Sequence, residues 1–176
     1  MGGREKETEY CLDWCPSRMQ PAMMVVGCGR EHVCKIYHYD DATRRWVPRE
    51  HLRGHEDTIH DIAWAPSCGR SYQLIATACK DKRVRIFKLT PAAASEDSEA
   101  GKRSPGSLFD VQMVAELPDH GADVWRVQWN LTGTILSSSG DDGRVMLWKS
   151  NVLDEWTCMS VMHVKDQRIQ AEGQGR

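Results

Sequence analysis

The sequence predicts an all-β fold built from three repeated four-stranded units. Short segments in which apolar and polar residues alternate cover most of the chain, and such alternation is typical of half-buried strands. Turn residues such as Gly, Asp and Asn separate these segments, and no long stretch shows the periodicity of an amphipathic helix. The segments recur with a period of about fifty residues once a polar insertion is discounted, which is the pattern of β-propeller blades.

Each unit begins with an alternating strand that ends in a tryptophan, and three further strands follow. The first strands are EYCLDWCP (9–16), IHDIAWAP (59–66) and VWRVQWN (124–130), ending in Trp14, Trp64 and Trp129. The second strands are MMVVGCG from Met23, LIATACKD from Leu74 and ILSSSGDD from Ile135. The third strands are VCKIYHY from Val33, VRIFKL from Val84 and VMLWKS from Val145. The fourth strands are more polar: WVPREHL from Trp46, VQMVAEL from Val111 and EWTCMSVM from Glu155.

These strands divide the chain into three propeller blades flanked by polar ends. The predicted blades are residues 9–53, 54–120 and 121–163, with a disordered leader at 1–8 and a disordered tail at 164–176. Residues 91–107, PAAASEDSEAGKRSPGS, predict a flexible insertion between the third and fourth strands of the middle blade. The KRSP segment at 102–105 could accept a phosphate, although an unmodified spacer is the simpler interpretation.

Charge and composition argue against several classes of function. The formal net charge is −2 and there is no long Lys/Arg run, so direct binding of nucleic acid is not expected. No apolar stretch is long enough to cross a bilayer, and the first ten residues lack the apolar centre of a signal peptide. We therefore expect a soluble protein of the cytosol or nucleus.

The cysteines raise the alternative of a zinc site. There are seven of them, an odd number, and several lie inside apolar strands, which indicates buried thiols in a reducing compartment. Two short-spaced pairs could nevertheless supply N/S ligands from Cys11, Cys15, Cys28, His32 and Cys34. Zinc knuckles usually space their cysteines more tightly and present them on turns. We therefore expect core thiols, with no metal and no cofactor.

Histidines recur at a fixed distance from the first-strand tryptophans. His55 lies nine residues before Trp64, and His120 lies nine before Trp129. Together with nearby Ser and Asp these histidines could suggest a hydrolase, but nucleophilic catalysis requires one site with an oxyanion hole, whereas this set recurs. We therefore predict a structural set and no enzyme. The segment 141–143, Asp-Asp-Gly, could likewise be a metal loop, but a turn between strands explains it more simply.

Several of these segments resemble one branch of the WD-repeat proteins, the Seh-type nucleoporins. They are RGHEDTIHDIAWAPSCGRSYQLIATACKD (53–81), VWRVQWNLTGTILSSSGDDGRVMLWK (124–149) and NVLDEWTC (151–158). The likeness to the sister subunit in the outer coat of COPII vesicles is weaker. The resemblance covers roughly 9–162 and implies an open six-bladed propeller completed by a blade from a partner. This chain would be its C-terminal half, and its first ten residues would reflect a truncated gene model or an aberrant start.

The resemblance also implies a buried network in each blade. In WD blades a histidine before the first strand bonds a Ser or Thr, an Asp in the tight turn and a Trp on the third strand. The last blade has the full set: His120, Ser138, Asp142 and Trp148. The middle blade has His55, Thr77 and Asp81, with Phe87 in place of the tryptophan, so its network should end without an indole N–H. The first blade offers only Glu31 and Tyr37, a weaker match.

In function, the resemblance implies a non-catalytic scaffold. The expected complexes are the Y-shaped subcomplex of the nuclear pore, which serves mRNA and protein transport, and the amino-acid-sensing complex that regulates the TOR kinase. The expected partners are an α-solenoid nucleoporin that donates a blade and subunits of the nutrient-sensing complex. The expected locations are the nucleus, the nuclear envelope with its pores and the vacuolar or lysosomal periphery. A COPII coat subunit is the alternative. Because three blades cannot close a ring, apolar sheet faces should be left open.

Overall fold

A computed structural model describes residues 10–17, 20–92 and 106–163, apart from the side chain of Arg30. This part of the chain contains twelve strands and one 3-10 turn at Gly29–Glu31. The strands are β1 Tyr10–Trp14, β2 Met23–Cys28, β3 Val33–Asp40, β4 Arg45–Leu52, β5 Ile59–Trp64, β6 Gln73–Cys79, β7 Val84–Pro91, β8 Phe109–Leu117, β9 Val124–Trp129, β10 Ile135–Gly140, β11 Arg144–Ser150 and β12 Trp156–His163. The predicted leader, the tail and residues 93–105 of the insertion lie outside the described residues.

The strands form three antiparallel four-stranded sheets, which confirms the predicted fold class. Each sheet pairs its strands in chain order: β1 to β4, β5 to β8, and β9 to β12. The register shifts at the same place in every sheet, between the third and fourth strands. These bulges lie at Ile36/Tyr37, Ile86/Phe87 and Leu147/Trp148. Since a bulge increases local twist, the three sheets share one shape and can stack as repeats.

The three sheets pack face to face through two cores. The inner strands are neighbours, since β1 contacts β5 and β5 contacts β9. The middle sheet is covered on both sides, and every residue of β6 is buried. Strands β2 and β10 of the outer sheets instead alternate between buried and less buried residues. Gly27 shows how close the packing is, because a Cβ there would lie 2.5 Å from Cys11 Sγ and 3.2 Å from Ile62 Cδ1.

Strand β8 begins at Phe109, two residues before the predicted start at Val111. The cause is a buried carboxylate on the first sheet. Glu50 Oε1 accepts hydrogen bonds from Ser107 Oγ at 3.0 Å, Leu108 N at 2.8 Å and Phe109 N at 3.3 Å. The end of the insertion is therefore fixed to the first sheet.

No helix in the described residues is both long and apolar enough to span a membrane.

Candidate functional site

The last sheet holds a continuous buried hydrogen-bonded network. His120 and Ser138 are each only 2% exposed, and Trp148 is 1% exposed. His120 Nε2 lies 2.7 Å from Ser138 Oγ, and His120 Nδ1 lies 2.8 Å from Asp142 Oδ2. The indole N–H of Trp148 donates to Ser138 Oγ at 2.7 Å. The structure thus brings together all four residues of the last predicted set.

The indole and the carboxylate together set the direction of the hydrogen bonds in this network. An indole N–H can only donate, so Ser138 Oγ accepts from Trp148. A carboxylate accepts, so Asp142 Oδ2 accepts from the Nδ1–H of His120, and in that tautomer Nε2 accepts from the Ser138 hydroxyl. Asp142 is itself positioned by the turn, since its Oδ1 accepts a hydrogen bond from Arg144 N at 3.0 Å. Every polar group along this path has a partner, as a buried network requires.

The middle sheet places its residues differently. His55 Nε2 lies 2.9 Å from Thr77 Oγ1, and the Phe87 ring lies 5.7 Å from the imidazole, centroid to centroid. Asp81 does not bond the histidine. Its Oδ2 accepts from Arg85 Nη1 at 2.7 Å and from Glu56 N at 3.0 Å. His55 Nδ1 makes no hydrogen bond of ordinary geometry within the described residues.

A buried arginine explains this difference. Arg85 is 0% exposed and lies opposite Thr77 in the strand register, at the position that Met146 occupies opposite Ser138 in the last sheet. Its Nε donates to Glu116 Oε1 at 2.9 Å, and its Nη2 lies 2.8 Å from the same oxygen. We call Asp81, Arg85 and Glu116 the arginine clamp. The clamp joins the turn before β7 to strand β8.

Burial and the arginine clamp together determine the electrostatics around His55. Burial first, and then the Arg85 guanidinium, lower the pKa of His55 from 6.5 to about 4, while Asp81 and the His32 backbone oppose the change. Burial tends to raise the pKa of Asp81, but hydrogen bonds from the Glu56 backbone and from Arg85 outweigh burial and lower it. The middle sheet therefore contains a neutral histidine beside a buried ion pair.

Arg85 and Glu116 were not predicted from the repeat pattern. Side chains alternate along a strand, so Arg85 lies on the same side of β7 as Phe87 and Leu89. Both of those residues are buried, at 2% and 0% exposure. A charged residue between Val84 and Ile86 in an apolar strand was the available signal, because a buried guanidinium needs carboxylate partners.

The first sheet has a buried polar pair in another place. His38 Nε2 lies 2.7 Å from Glu50 Oε2, and both residues are buried. Burial tends to raise the pKa of Glu50, but the hydrogen bond and charge of His38 outweigh it, and the Leu108 backbone and Ser107 add to the lowering. Glu31 pairs with Lys35 at 2.6 Å near the surface, and Tyr37 is only half-buried. Glu31 and Tyr37, the two residues of the weaker match, therefore form no hydrogen-bonded network with a histidine.

Carboxylates also connect the inner strands of adjacent sheets. Asp13 Oδ2 accepts a hydrogen bond from Trp64 N at 2.7 Å, and Asp61 Oδ2 accepts one from Val127 N at 3.0 Å. The indole N–H of Trp129 donates to Ala63 O at 3.0 Å. Each contact crosses from one sheet to the next. The stacking of sheets is therefore held by directional bonds as well as by apolar contact.

The two outer sheets expose apolar side chains. On β1 of the first sheet, Tyr10 is 69%, Leu12 57% and Trp14 55% exposed. On β12 of the last sheet, the exposed apolar residues are Met159, Val161 and Met162. A soluble monomer rarely leaves extended apolar patches uncovered, so these surfaces are candidate interaction sites.

The cysteines of the zinc alternative lie in or beside the first sheet. Burial raises the pKa of the Cys34 thiol well above its usual range, with further contributions from Cys11, Cys28 and Cys79. A high pKa disfavours the thiolate that binds metals. Within residues 10–17, 20–92 and 106–163, no three His, Cys, Asp or Glu side chains are grouped so that they could hold a metal ion.

Comparison with known proteins agrees with this architecture. The family model for the WD domain, G-beta repeat, matches residues 46–88 and 111–149. Nucleoporin SEH1 of Saccharomyces cerevisiae is 42% identical over 89% of this chain and 52% of its own length. Nucleoporin seh1 of Schizosaccharomyces pombe is 42% identical over 92% of this chain and 50% of its own length. Nucleoporin SEH1 of Homo sapiens is 38% identical over 86% of this chain and 42% of its own length.

The chain spans about half the length of the curated relatives that it matches. The three alignments cover 86–92% of this chain. The resemblance inferred from the sequence is therefore confirmed: the chain contains WD repeats, and over most of its length it is similar to the Seh-type nucleoporins.

Proposed function

We propose that this chain forms part of a non-catalytic scaffold subunit of the nuclear pore, within its Y-shaped subcomplex. The observation that carries this proposal is the 38–42% identity to proteins named nucleoporin SEH1. The chemistry of the blades supports a structural role. The hydroxyl of Ser138, which a hydrolase would need as a nucleophile, is buried and bonded to both His120 and Trp148.

The proposed partner is an α-solenoid nucleoporin that contributes a blade. Its basis in the structure is the pair of apolar outer surfaces, one on β1 and one on β12. Strand addition would satisfy edge hydrogen bonds, and stacking would cover apolar side chains at the same time. We infer that this chain corresponds to the C-terminal half of the propeller. The remaining blades would then cover one surface, and the donated blade the other.

The finer roles in this proposal follow from the same resemblance. They are mRNA and protein transport at the nuclear envelope, and membership of the amino-acid-sensing complex that regulates TOR at the vacuolar or lysosomal periphery. Subunits of that complex are further proposed partners, and direct contact with nucleic acid is not part of the proposal. A COPII coat subunit remains the alternative function.

A binding experiment separates these assignments. The tagged chain, co-expressed with the missing blades, would be offered the α-solenoid nucleoporin, a nutrient-complex subunit and the COPII coat partner. Retention of the first two in preference to the coat protein supports the proposal, and the reverse preference favours the alternative. Trp14→Asp and Val161→Asp test the two apolar surfaces. Val152→Asp is the control, because Val152 is fully exposed in the β11–β12 turn.

We also propose the blade boundaries inferred from the sequence, and that the 91–107 insertion is flexible between its two fixed ends at Pro91 and Ser107. Pro91 is the last residue of β7, and Ala92 N donates to Leu108 O at 2.9 Å, so the two described ends lie side by side. A segment that starts and ends at one place can be lengthened or shortened at little cost. Limited proteolysis should therefore cut between residues 93 and 105 first. First cleavage inside a blade would contradict these boundaries.

A further inference from the structure

One exposed tryptophan belongs neither to a core nor to an open sheet surface. Trp125 lies on the inner strand β9, and 41% of it is exposed. One face of its indole is covered by His60 on β5, with ring centroids 3.9 Å apart and an interplanar angle of 18°. Its N–H donates to Asp141 Oδ1 at 2.6 Å. The ring is thus held from one face and from one edge while much of it remains in solvent.

The other tryptophans with a hydrogen-bonded indole are placed differently. Trp64, Trp129 and Trp148 are buried, at 4%, 8% and 1% exposure. Their N–H groups are satisfied inside the cores, where the ring also packs. The exposed part of the Trp125 ring has no such packing. Ordering a large aromatic ring at the surface with two directed contacts is an arrangement suited to binding.

One carboxylate, that of Asp141, borders this ring. Asp141 N donates to Asp123 O at 2.9 Å, so the β10–β11 turn lies beside the segment that leads into β9. Asp141 is exposed and Asp123 is half-buried. The neighbouring Arg126 is 79% exposed at its side chain and lies 3.9 Å from Asp61 on β5. The Arg126 guanidinium is therefore paired with a carboxylate of β5.

We propose that Trp125, backed by His60 and bordered by the Asp141 carboxylate, is a docking platform for an arginine or lysine side chain of a partner polypeptide. The face of an indole attracts a cation through its quadrupole, and a carboxylate bonded to the indole N–H adds electron density to the ring. The negative charge of Asp141 favours a cation further and disfavours a phosphate. The platform goes beyond the proposed scaffold role and does not depend on which complex contains the chain.

The platform can be tested directly on the full chain labelled with 5-fluorotryptophan. The Trp125 signal in the fluorine spectrum is assigned by its loss in Trp125→Phe. The probes are N-acetyl-arginine amide, N-acetyl-lysine amide and, as a neutral control of similar shape, N-acetyl-citrulline amide. The two cations should shift the Trp125 signal saturably, and citrulline should not. A response to citrulline equal to that of arginine would overturn the proposal.

Substitutions then show which side chains contribute to arginine binding. Trp125→Ala should weaken arginine binding about tenfold, within the range of cation–π energies, and Asp141→Asn should weaken it less. Trp125→Phe should keep part of the affinity, which guards against loss of fold as the explanation. Leu131→Ala, at a residue 93% exposed in the next turn, should bind like the parent. Unchanged affinity in Trp125→Ala, or tighter binding of a short oligonucleotide than of arginine, would sink the idea.

Discussion

The middle and last sheets carry a histidine at the same repeat position, and they pair it in different ways. In the last sheet His120 bonds both Ser138 and Asp142, and a tryptophan completes the path. In the middle sheet His55 bonds Thr77, while the corresponding carboxylate of Asp81 binds Arg85. The backbone scaffold is shared, down to the bulge between the third and fourth strands. The same fold therefore accommodates two arrangements of its buried polar groups, provided that each buried carboxylate has a hydrogen-bond donor.

The residue that decides between these two arrangements lies opposite the hydroxyl-bearing residue, Thr77 or Ser138, in the strand register. It is Arg85 in the middle sheet and Met146 in the last. A guanidinium competes for the turn carboxylate more strongly than an imidazole, because it is always charged and offers several donors. The middle sheet consequently depends on an ion pair, and the last sheet on a chain of mostly neutral hydrogen bonds.

The largest expected effect comes from removing that arginine. Arg85→Met should destabilise the fold by roughly 3–5 kcal/mol, because it leaves the carboxylates of Asp81 and Glu116 without their buried cation. It should also raise the pKa of His55, since a nearby positive charge is lost and Asp81 remains. Urea denaturation measures the first effect and histidine NMR titration the second. Arg83→Met, at the more exposed neighbour of the same turn, is the matched control.

Should Arg85→Met prove as stable as the parent, the clamp would contribute no net stability. The comparison with the last sheet would then rest on geometry alone. A stable variant whose His55 pKa still rises would separate the electrostatic role of Arg85 from its role in folding.

The next effect is a dependence of stability on pH that belongs to the middle sheet. The folded pKa of His55, about 4, lies below its ordinary value of 6.5. The neutral histidine therefore favours folding above pH ~6.5, and this contribution is lost as the pH falls toward ~4. The linkage amounts to on the order of 3 kcal/mol. His55→Gln should flatten the decline in unfolding free energy over this window.

Two carboxylates must be considered in that experiment. Asp81 and Glu50 both have lowered pKa values, so they add a loss of stability at still lower pH. Measurements between pH 7 and 5 therefore report mainly on histidine. A His163→Gln variant, at the exposed end of β12, serves as the control. An unaltered slope in His55→Gln would contradict the assignment.

A smaller effect is expected in the last sheet. Asp142→Ala removes the acceptor of His120 Nδ1–H and of Arg144 N, leaving a buried donor unpaired. The expected cost is ~1–3 kcal/mol in a thermal or urea melt. Val152→Ala, at a fully exposed position, should cost almost nothing. Equal effects of the two substitutions would mean that the network does not stabilise the sheet.

The fold was predictable from the sequence because strand alternation and the repeated tryptophans reflect local geometry. The spacing of His120, Ser138, Asp142 and Trp148 likewise follows from the repeat, and the structure places them together. The pairing of Asp81 was not predictable in this way, since spacing shows which groups are near but not which donor binds a shared carboxylate. Glu50 and the early start of β8 were missed for a related reason. They depend on contact between two sheets, which the repeat within one sheet does not encode.

The smallest effect tests whether the missing indole in the middle sheet matters. Phe87→Trp would introduce an N–H near Thr77, in the place where Trp148 meets Ser138. A new hydrogen bond contributes ~1 kcal/mol, but Phe87 is only 2% exposed, and a larger ring there strains the core by ~1–3 kcal/mol. We therefore expect a net loss of about 1 kcal/mol, measured by urea denaturation.

The reciprocal change completes the comparison. Trp148→Phe should cost about 2 kcal/mol, because Ser138 loses a donor and the core loses ring volume. Phe87→Trp should therefore be the milder of the two substitutions. If it instead stabilised the fold, the middle sheet would have room for the complete network, and the arginine clamp alone would account for the difference between the sheets. If it were the more damaging change, the phenylalanine would be required by packing, and the two sheets would differ in shape as well as in charge.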